Sequence, residues 1–204
     1  MQERTVALVT VRSASTRLPQ KFKREIYGKP MMARVVDAVR ESVVDEVVVA
    51  TVYADTPVID MCYQKRFEFY AGSENDLLKR LYEAGKAYDA DIVVRIWGDS
   101  PLIMPRWINF AVEAFKKNRP PYLTVLSHDG VIAVTTLAEL ERLNEEVTDP
   151  KDREWIHTYM SNMERSVSYT KTSKVRTVDT RDDMRWARRR FKIRAEMNGT
   201  TLWG

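Results

Sequence analysis

The first 120 residues alternate between short unbroken apolar runs and longer stretches in which apolar residues recur every three or four positions. The unbroken runs predict strands buried on both faces of a parallel sheet, and the recurring pattern predicts amphipathic helices. Because strand and helix alternate with short connections, we expect an α/β fold, a mostly parallel sheet covered by helices on both faces. The predicted strands are 6–9, 46–51, 67–70 and 91–96, and the predicted helices are 56–65 and those starting near residues 30, 73 and 105.

Beyond residue 120 this alternation weakens, and we expect a small α+β insertion. The chain of 204 residues is long enough for one well-buried domain, so we predict a single domain over 1–204 with a distinct subregion at 120–165. The predicted strands here are 122–126, 131–134 and 175–178, and the predicted helices are those near 137–143, 152–163 and 181–194.

The loop after the first strand is small, polar and basic, with Arg12, Ser13, Ser15, Arg17 and Lys21. A loop at the carboxyl end of a buried first strand lies where open α/β sheets bind their ligands. Small residues let backbone N–H groups approach an anion, and three cations on one turn suit a polyphosphate. We interpret the loop as a nucleoside-triphosphate cradle; the alternative is an ordinary basic surface loop.

Two carboxylates are placed to complete such a site. Asp99 follows a buried strand at a glycine turn, and Asp179 ends the predicted strand 175–178 and precedes Thr180, which can cap the next helix. Carboxylates that face a triphosphate across a crevice are what Mg²⁺ needs, since it takes few protein oxygens in addition to phosphate oxygens. The alternative is that both are turn or helix-capping residues.

The few cysteines and histidines exclude several classes of site. Cys62 is the single cysteine, and only His128 and His157 accompany it, so an internal disulfide and a Cys/His metal site are excluded. We expect a packed Cys62 thiol and a structural, hydrogen-bonded His157. The lone cysteine favours a reducing cytoplasm, and we find no signal-peptide pattern and no apolar stretch that could cross a membrane.

The positive charge is concentrated towards the end of the chain. The formal net charge is +4, and residues 165–195 carry eleven Lys or Arg against three Asp. The predicted helix there has an apolar stripe and a basic face, which favours a solvated face over the core. A basic rim that attracts nucleotide and a nucleic-acid-binding surface are the alternatives. The stripe is Met184, Ala187 and Phe191, and the basic face is Arg185, Arg188, Arg189 and Lys192.

Five segments, in this order, resemble the motifs of cytidylyltransferases that activate acidic or surface-polysaccharide sugars. The resemblance is to the spore-coat-polysaccharide type and, more distantly, to the enzymes that activate Kdo and acylneuraminate. The segments are RSASTRLPQK (12–21), GKPMMARVVDAV (28–39), GSENDLLKR (72–80), VRIWGDSPLI (94–103) and VDTRDD (178–183).

The resemblance implies a glycosyltransferase-A-like Rossmann fold and the transfer of CMP from CTP to a sugar or similar small polar acceptor, with release of pyrophosphate. It also implies Mg²⁺ as the cofactor and a homodimer formed through residues 120–165. The lack of a membrane-spanning stretch and of a nucleic-acid-binding motif leads us to expect neither a membrane nor a nucleic acid as partner. The implied catalytic residues are Arg12, Lys21 and Asp99, the metal ligands are Asp99 and Asp179, and the nucleotide-binding residues are Arg12, Ser13, Ser15, Arg17, Lys21, Gly72, Ser73 and Asp76.

The sequence departs from the family pattern at four positions. Gln20 replaces the usual glycine before the loop lysine, and Trp155 stands where relatives carry histidine. Ile132 and Val134 replace acidic residues on a strand that we expect at the acceptor site. These changes leave open a nucleotide-binding protein without transferase activity, and the basic helix leaves open a nucleic-acid-binding module.

Overall fold

The computed structural model describes residues 3–172 and 175–197 of the chain. Its strands are β1 (Thr5–Thr10), β2 (Glu25–Ile26), β3 (Lys29–Pro30), β4 (Glu46–Val52), β5 (Glu68–Gly72), β6 (Ile92–Trp97), β7 (Leu123–Ser127), β8 (Gly130–Thr136) and β9 (Val167–Thr170). Its α-helices are α1 (Met31–Arg40), α2 (Thr56–Lys65), α3 (Leu77–Ala87), α4 (Pro105–Asn118), α5 (Leu137–Glu146), α6 (Pro150–Glu154), α7 (Ile156–Ser161) and α8 (Arg181–Met197). A 3₁₀ turn spans Lys21–Lys23.

Seven strands form one sheet in the order β5-β4-β1-β6-β8-β7-β9, and β2 pairs with β3 in a separate two-stranded ribbon. Strands β5, β4, β1 and β6 are mutually parallel, and β8 is antiparallel to both of its neighbours. The predicted mostly parallel α/β sheet is therefore confirmed.

Strand β1 lies at the centre of the sheet, and helices cover both of its faces. Ala7 and Val9 pack into an apolar cluster with α1, α2 and α4, whereas Val6 and Leu8 pack into a second cluster with α3 and α5. All four side chains are fully buried. Successive strand residues point to opposite faces of a sheet, so a strand covered by helices on both faces needs an unbroken run of apolar residues.

Residues 120–165 contribute β7 and β8 to the main sheet and helices α5 to α7 beside it. Ile132 and Val134 are fully buried and pair across the sheet with Ile96 and Val94. The expectation that these two positions face the acceptor is wrong, because both side chains belong to the core and their apolar character follows from packing. The homodimer through this subregion stays a prediction.

The end of the chain differs from the predicted elements. Residues 175–178 form no strand; Val178 is buried, and its backbone N–H donates to the carbonyl of Asp99 at 2.8 Å. The structure instead has β9, which pairs in parallel with β7 at the edge of the sheet. The predicted helix 152–163 is broken at Trp155, which lies between α6 and α7 and has an exposed side chain. No helix in the described ranges is long and apolar enough to span a bilayer.

Candidate active site

The carboxyl ends of the parallel strands bring the predicted site residues to one edge of the sheet. Thr10, at the end of β1, is in register with Ala50 of β4 and with Trp97 of β6. The basic loop that follows β1 therefore lies between the connection after β4 and the connection after β6, which contains Asp99. This is the edge at which α/β sheets of this kind bind ligands.

Lys21 joins the two predicted metal carboxylates. Its ammonium donates to Asp99 Oδ2 at 2.8 Å and to Asp179 Oδ1 at 3.0 Å, and its side chain is only 14% exposed. Arg17 approaches Asp179 Oδ1 at 3.1 Å, and the Thr177 hydroxyl donates to Asp179 Oδ2 at 3.1 Å. The predicted convergence of a loop cation with two distant aspartates is thus present in the structure.

The charge around Asp179 favours its ionised form. Burial alone would raise the pKa of this carboxyl group, but the hydrogen bond and charge of Lys21, with the contributions of Thr177 and Arg17, hold the pKa below its ordinary value. Asp179 is therefore a carboxylate at neutral pH, as a cation ligand must be.

Local backbone geometry places Asp99 and Lys21. A Cβ atom at Gly98 would lie 2.5 Å from Val11 Cγ2 and 2.8 Å from the Thr10 carbonyl oxygen, so only glycine fits before Asp99. Gln20, just before Lys21, has a φ of 52°, in the left-handed region that favours glycine. Gln20 therefore adopts a backbone conformation typical of the glycine it replaces, in the turn just before Lys21.

Asp179 is held between Asp99 and the start of α8. The hydrogen bond from Val178 to the Asp99 carbonyl joins the two acidic segments. On the other side, the Asp183 backbone N–H donates to Thr180 Oγ1 at 3.2 Å, and Asp183 Oδ2 accepts from the Thr180 N–H at 2.9 Å. This reciprocal arrangement caps α8 in the way predicted for Thr180 and fixes the residue that precedes it.

The carboxylate pair fits a divalent cation that also binds substrate oxygens. Asp99 Oδ1 is buried without a hydrogen-bond partner among the described residues, so a ligand atom of the preferred type is available beside Lys21. In the described ranges no group of three or more His, Cys, Asp or Glu could hold a metal ion. A cation held by Asp99 and Asp179 would therefore need oxygens from substrate or water to complete its coordination.

The remaining cradle residues lie on the same edge. The Arg12 side chain is 61% exposed and approaches Glu154 Oε1 at 3.9 Å. The Ser13 backbone N–H donates to Asp55 Oδ2 at 2.7 Å, and Ser15 Oγ accepts from the backbone N–H of Leu18 at 3.4 Å. The Arg12 side chain is thus accessible to an anion that would replace its long contact with Glu154, while the main chain after it is anchored.

Gly72 ends β5, Ser73 and Asp76 follow it, and contacts within the protein already engage all three. A Cβ atom at Gly72 would lie 2.9 Å from Arg80 Cγ, and the Ser73 carbonyl accepts from Arg80 Nη1 at 2.7 Å. The helix predicted to start near residue 73 begins at Leu77, and Asp76 caps it: the Asp76 Oδ1 accepts from the Lys79 N–H at 2.9 Å. A nucleotide-binding role for these three residues stays a prediction.

Asp76 has a second structural partner. Its Oδ2 accepts from Arg153 Nε at 2.7 Å, and the guanidinium of Arg153 also donates to the backbone carbonyls of Asn144 and Val147. One carboxylate oxygen of Asp76 therefore caps α3, and the other holds α6 against the start of that helix.

The sequence pattern did not single out three ionisable residues near the cradle, of which Arg80 is buried and Arg95 and Glu154 are partly buried. Arg80 is 6% exposed, Glu154 Oε2 is buried without a partner in the described part of the chain, and the Arg95 guanidinium stacks 4.0 Å from the Trp97 ring centroid. Burial lowers the pKa of Arg80 and lowers that of Arg95 to about 10. Arg80 follows Leu77 by three residues on α3, so its position in the buried stripe was the signal available in the sequence.

His157 has the hydrogen-bonded position expected of a structural histidine. Its Nδ1 lies 2.9 Å from the Tyr122 hydroxyl, and its ring meets that of Trp97 edge to face at 5.0 Å. Burial, with a smaller contribution from the charge of Arg95, lowers the pKa of His157 from 6.5 to about 4. The folded protein therefore keeps this ring neutral.

This burial predicts a loss of stability in acid. Between pH 6.5 and about 4 the unfolded chain binds a proton at His157 that the folded protein does not, so the free energy of unfolding should fall as the pH drops through that window. In urea unfolding from pH 7 to 4.5, a His157→Asn variant should show a shallower decline than wild type. Equal slopes for the two proteins would contradict this assignment.

A cleft of about 400 Å³ opens beside Asp179, and its lining includes Arg17, Arg176 and Thr177. The helix α8 that follows has the predicted apolar stripe: Met184 and Ala187 are buried, and Phe191 packs on Tyr27 with ring centroids 5.9 Å apart. The predicted basic face is exposed, as expected of a solvated face, and its residues are Arg185, Arg188, Arg189 and Lys192. Arg194 on the same helix instead points inward and donates to the Leu102 carbonyl and to Asp129.

Comparison with known proteins gives one family match over most of the chain. A family model described as "Cytidylyltransferase" matches residues 6–193. A cytidylyltransferase structure from Leptospira borgpetersenii serovar Hardjo-bovis superposes with a TM-score of 0.84 and 28% identity, covering 92% of this chain and 86% of that one. A CMP:2-keto-3-deoxy-manno-octonic acid synthetase solved with CTP has the same fold, with a TM-score of 0.77 at 19% identity over 94% of this chain and 99% of the other.

Sequence relatives match over a shorter range. The 3-deoxy-manno-octulosonate cytidylyltransferase of Polynucleobacter necessarius is 31% identical over 145 residues, which is 68% of this chain and 54% of that protein. Uncharacterized protein MJ1063 of Methanocaldococcus jannaschii is 30% identical over 122 residues, 58% of this chain and 50% of that protein. The chain thus spans about half the length of the curated relatives that it matches.

Proposed function

The chain belongs to the cytidylyltransferase family, and from this premise we propose that it transfers CMP from CTP to a sugar or similar small polar acceptor, with Mg²⁺ as the cofactor and pyrophosphate as the second product. One observation carries the proposal. The Lys21 ammonium lies within hydrogen-bonding distance of Asp99 and Asp179, which are 78 and 158 residues away along the sequence. A basic loop and two carboxylates at one sheet edge form the charge pattern of a nucleotide-and-metal site.

The chemistry follows from where charge develops. An acceptor oxygen attacks the α-phosphorus of CTP while negative charge accumulates on the departing pyrophosphate. Arg12, which is largely exposed, and Lys21, on its fixed turn, are placed to neutralise that charge. Asp99 and Asp179 would hold a divalent cation, which supplies further charge neutralisation and orients the phosphate oxygens.

The acceptor is proposed more broadly than the donor. Several relatives carry the name 3-deoxy-manno-octulosonate cytidylyltransferase, which makes this sugar acid the first acceptor to test. The cleft lined by Arg17, Arg176 and Asp179 offers space beside the Asp179 carboxylate. We therefore propose a class of second substrate, a sugar or similar small polar acceptor, and not one compound.

Pyrophosphate release tests the proposal. Wild-type protein with Mg²⁺ should release pyrophosphate from CTP when 3-deoxy-manno-octulosonate, another sugar acid or a sugar phosphate is present, and chelation with EDTA should stop the reaction. Binding of CTP in calorimetry without turnover on any of these acceptors would reject transferase activity and favour a nucleotide-binding role. Absence of nucleotide binding would reject the site itself.

A further inference from the structure

Asp55 occupies the N-cap position of α2 but does not cap the helix. Aspartate is among the preferred N-cap residues because its carboxylate can accept from the first free N–H groups of a helix. Here the side chain makes no such hydrogen bond, and α2 begins without it. Pro57 has no N–H, and the N–H groups of Thr56 and Val58 donate to the backbone carbonyls of Ala54 and Asp55, so the carboxylate has its partners elsewhere.

The Asp55 carboxylate reaches back to the basic loop. Its Oδ2 accepts from the Ser13 backbone N–H at 2.7 Å and from the Thr51 hydroxyl at 3.3 Å. The residue is 4% exposed, and its Oδ1 is buried with no partner among the described residues. A buried carboxylate is costly unless it is hydrogen-bonded, so its short contact with Ser13 is a strong local constraint.

This contact completes a pair of anchors on either side of Arg12. The Val11 N–H donates to the Ala50 carbonyl at 3.1 Å, and the Ser13 N–H donates to Asp55. The main chain is thereby tied to β4 and its following turn both before and after Arg12. The largely exposed Arg12 side chain therefore projects from a backbone segment that is held on both sides.

We propose that Asp55 is a positioning residue for the nucleotide site: its carboxylate fixes the main chain at Ser13 and so directs Arg12 towards the triphosphate. This inference rests on the proposed function, since it assigns Arg12 to the nucleotide. Asp55 acts through the loop and does not touch the substrate. Holding the loop in its binding conformation before the ligand arrives reduces the ordering cost of binding.

The chain provides a control at the other end of the same strand, where an exposed carboxylate makes the same kind of hydrogen bond. Asp45 Oδ2 accepts from the Thr5 backbone N–H at 2.7 Å, so a carboxylate also anchors β1 where it begins. Both contacts join β1 or its loop to the β4 side of the sheet, and both have the same length. Asp45 lies at the opposite edge of the sheet from Arg12.

The experiment compares full-length Asp55→Ala, Asp55→Asn and Asp45→Ala with wild type. We measure thermal stability, hydrogen exchange at the Ser13 amide by NMR, and CTP affinity by calorimetry. Asp55→Ala should speed exchange at Ser13 and weaken CTP binding by about tenfold or more, the size expected when a charged hydrogen bond that orders a binding group is lost. Asp55→Asn keeps an acceptor oxygen and should restore both, and Asp45→Ala should lower stability while CTP affinity stays at the wild-type value.

Three results would overturn the proposal. The first is CTP affinity in Asp55→Ala equal to wild type, and the second is an equal loss of affinity in Asp45→Ala, which would show a general effect of stability. The third is unchanged exchange at Ser13 in Asp55→Ala. If wild type binds no nucleotide, the proposed function fails on its own account, whereas exchange at Ser13 still decides whether Asp55 holds the loop.

Discussion

A Lys21→Met variant should lose most of its turnover and yet bind Mn²⁺ more tightly than wild type when no nucleotide is present. The loss of turnover should be on the order of 10²–10³-fold, the size seen when a group that stabilises developing charge is removed. The gain in cation affinity follows from the contacts of the ammonium with Asp99 and Asp179 at 2.8 and 3.0 Å. A cation that uses those oxygens must first displace Lys21.

The size of the gain can be bounded from the contacts that Lys21 makes. Hydrogen bonds to charged groups contribute roughly 1.5–3 kcal/mol each, so relief from even one of the two competing contacts should tighten Mn²⁺ binding by about tenfold or more. Displacement also couples the two ligands, because a triphosphate gives the displaced ammonium a new partner. By linkage, CTP should strengthen Mn²⁺ binding in wild type, and this coupling should shrink in the variant.

Electron paramagnetic resonance of free Mn²⁺ gives the affinity directly, without any need for turnover. The control is Lys29→Met, because Lys29 pairs with Asp37 on the surface at 2.5 Å and should change neither quantity. If Lys21→Met and wild type bind Mn²⁺ equally without nucleotide, the ammonium does not compete for the carboxylates.

Asp99→Asn should remove both turnover and cation binding. An amide oxygen at this position is neutral, so a divalent cation loses half of the protein charge that holds it, and we expect turnover to fall about 10³-fold. Asp179→Asn should behave alike, and the double variant should lose little more, because groups that act as a unit are not additive. Folding should be nearly unaffected, since Lys21 keeps one carboxylate partner in each single variant.

Pyrophosphate release and Mn²⁺ affinity are the two measurements for this set, with Asp60→Asn as the control because Asp60 is an exposed carboxylate on α2. Wild-type Mn²⁺ affinity in both Asp99→Asn and Asp179→Asn would remove these residues from any metal site.

The elements that could be predicted from the sequence are those whose pattern of apolar residues matches the faces that are buried in the fold. Helix α2 has the predicted bounds of 56–65, and β1 follows from an apolar run that packing on both faces demands. The convergence of Lys21 with Asp99 could be predicted as well. Each follows a buried parallel strand, and the carboxyl ends of such strands share an edge.

Contacts that depend on distant partners could not be predicted in this way. Asp55 is a typical helix cap in sequence, and only the fold shows that its carboxylate serves Ser13, which is 42 residues away. The four residues of β9 carry little apolar signal, and the strand exists because β7 offers a free edge. At Ile132 and Val134 the sequence was misleading. Apolar residues where the family carries acidic ones suggested a lost acceptor site, whereas both side chains are buried in the core.

A crystal structure of the protein with CTP and Mn²⁺, with the cation located by anomalous scattering, tests the central claim most directly. We predict a manganese peak bound by Asp99 and Asp179, with the Lys21 ammonium moved from these carboxylates onto the triphosphate. CTP bound at another edge of the sheet, or a cation that contacts neither aspartate, would contradict it.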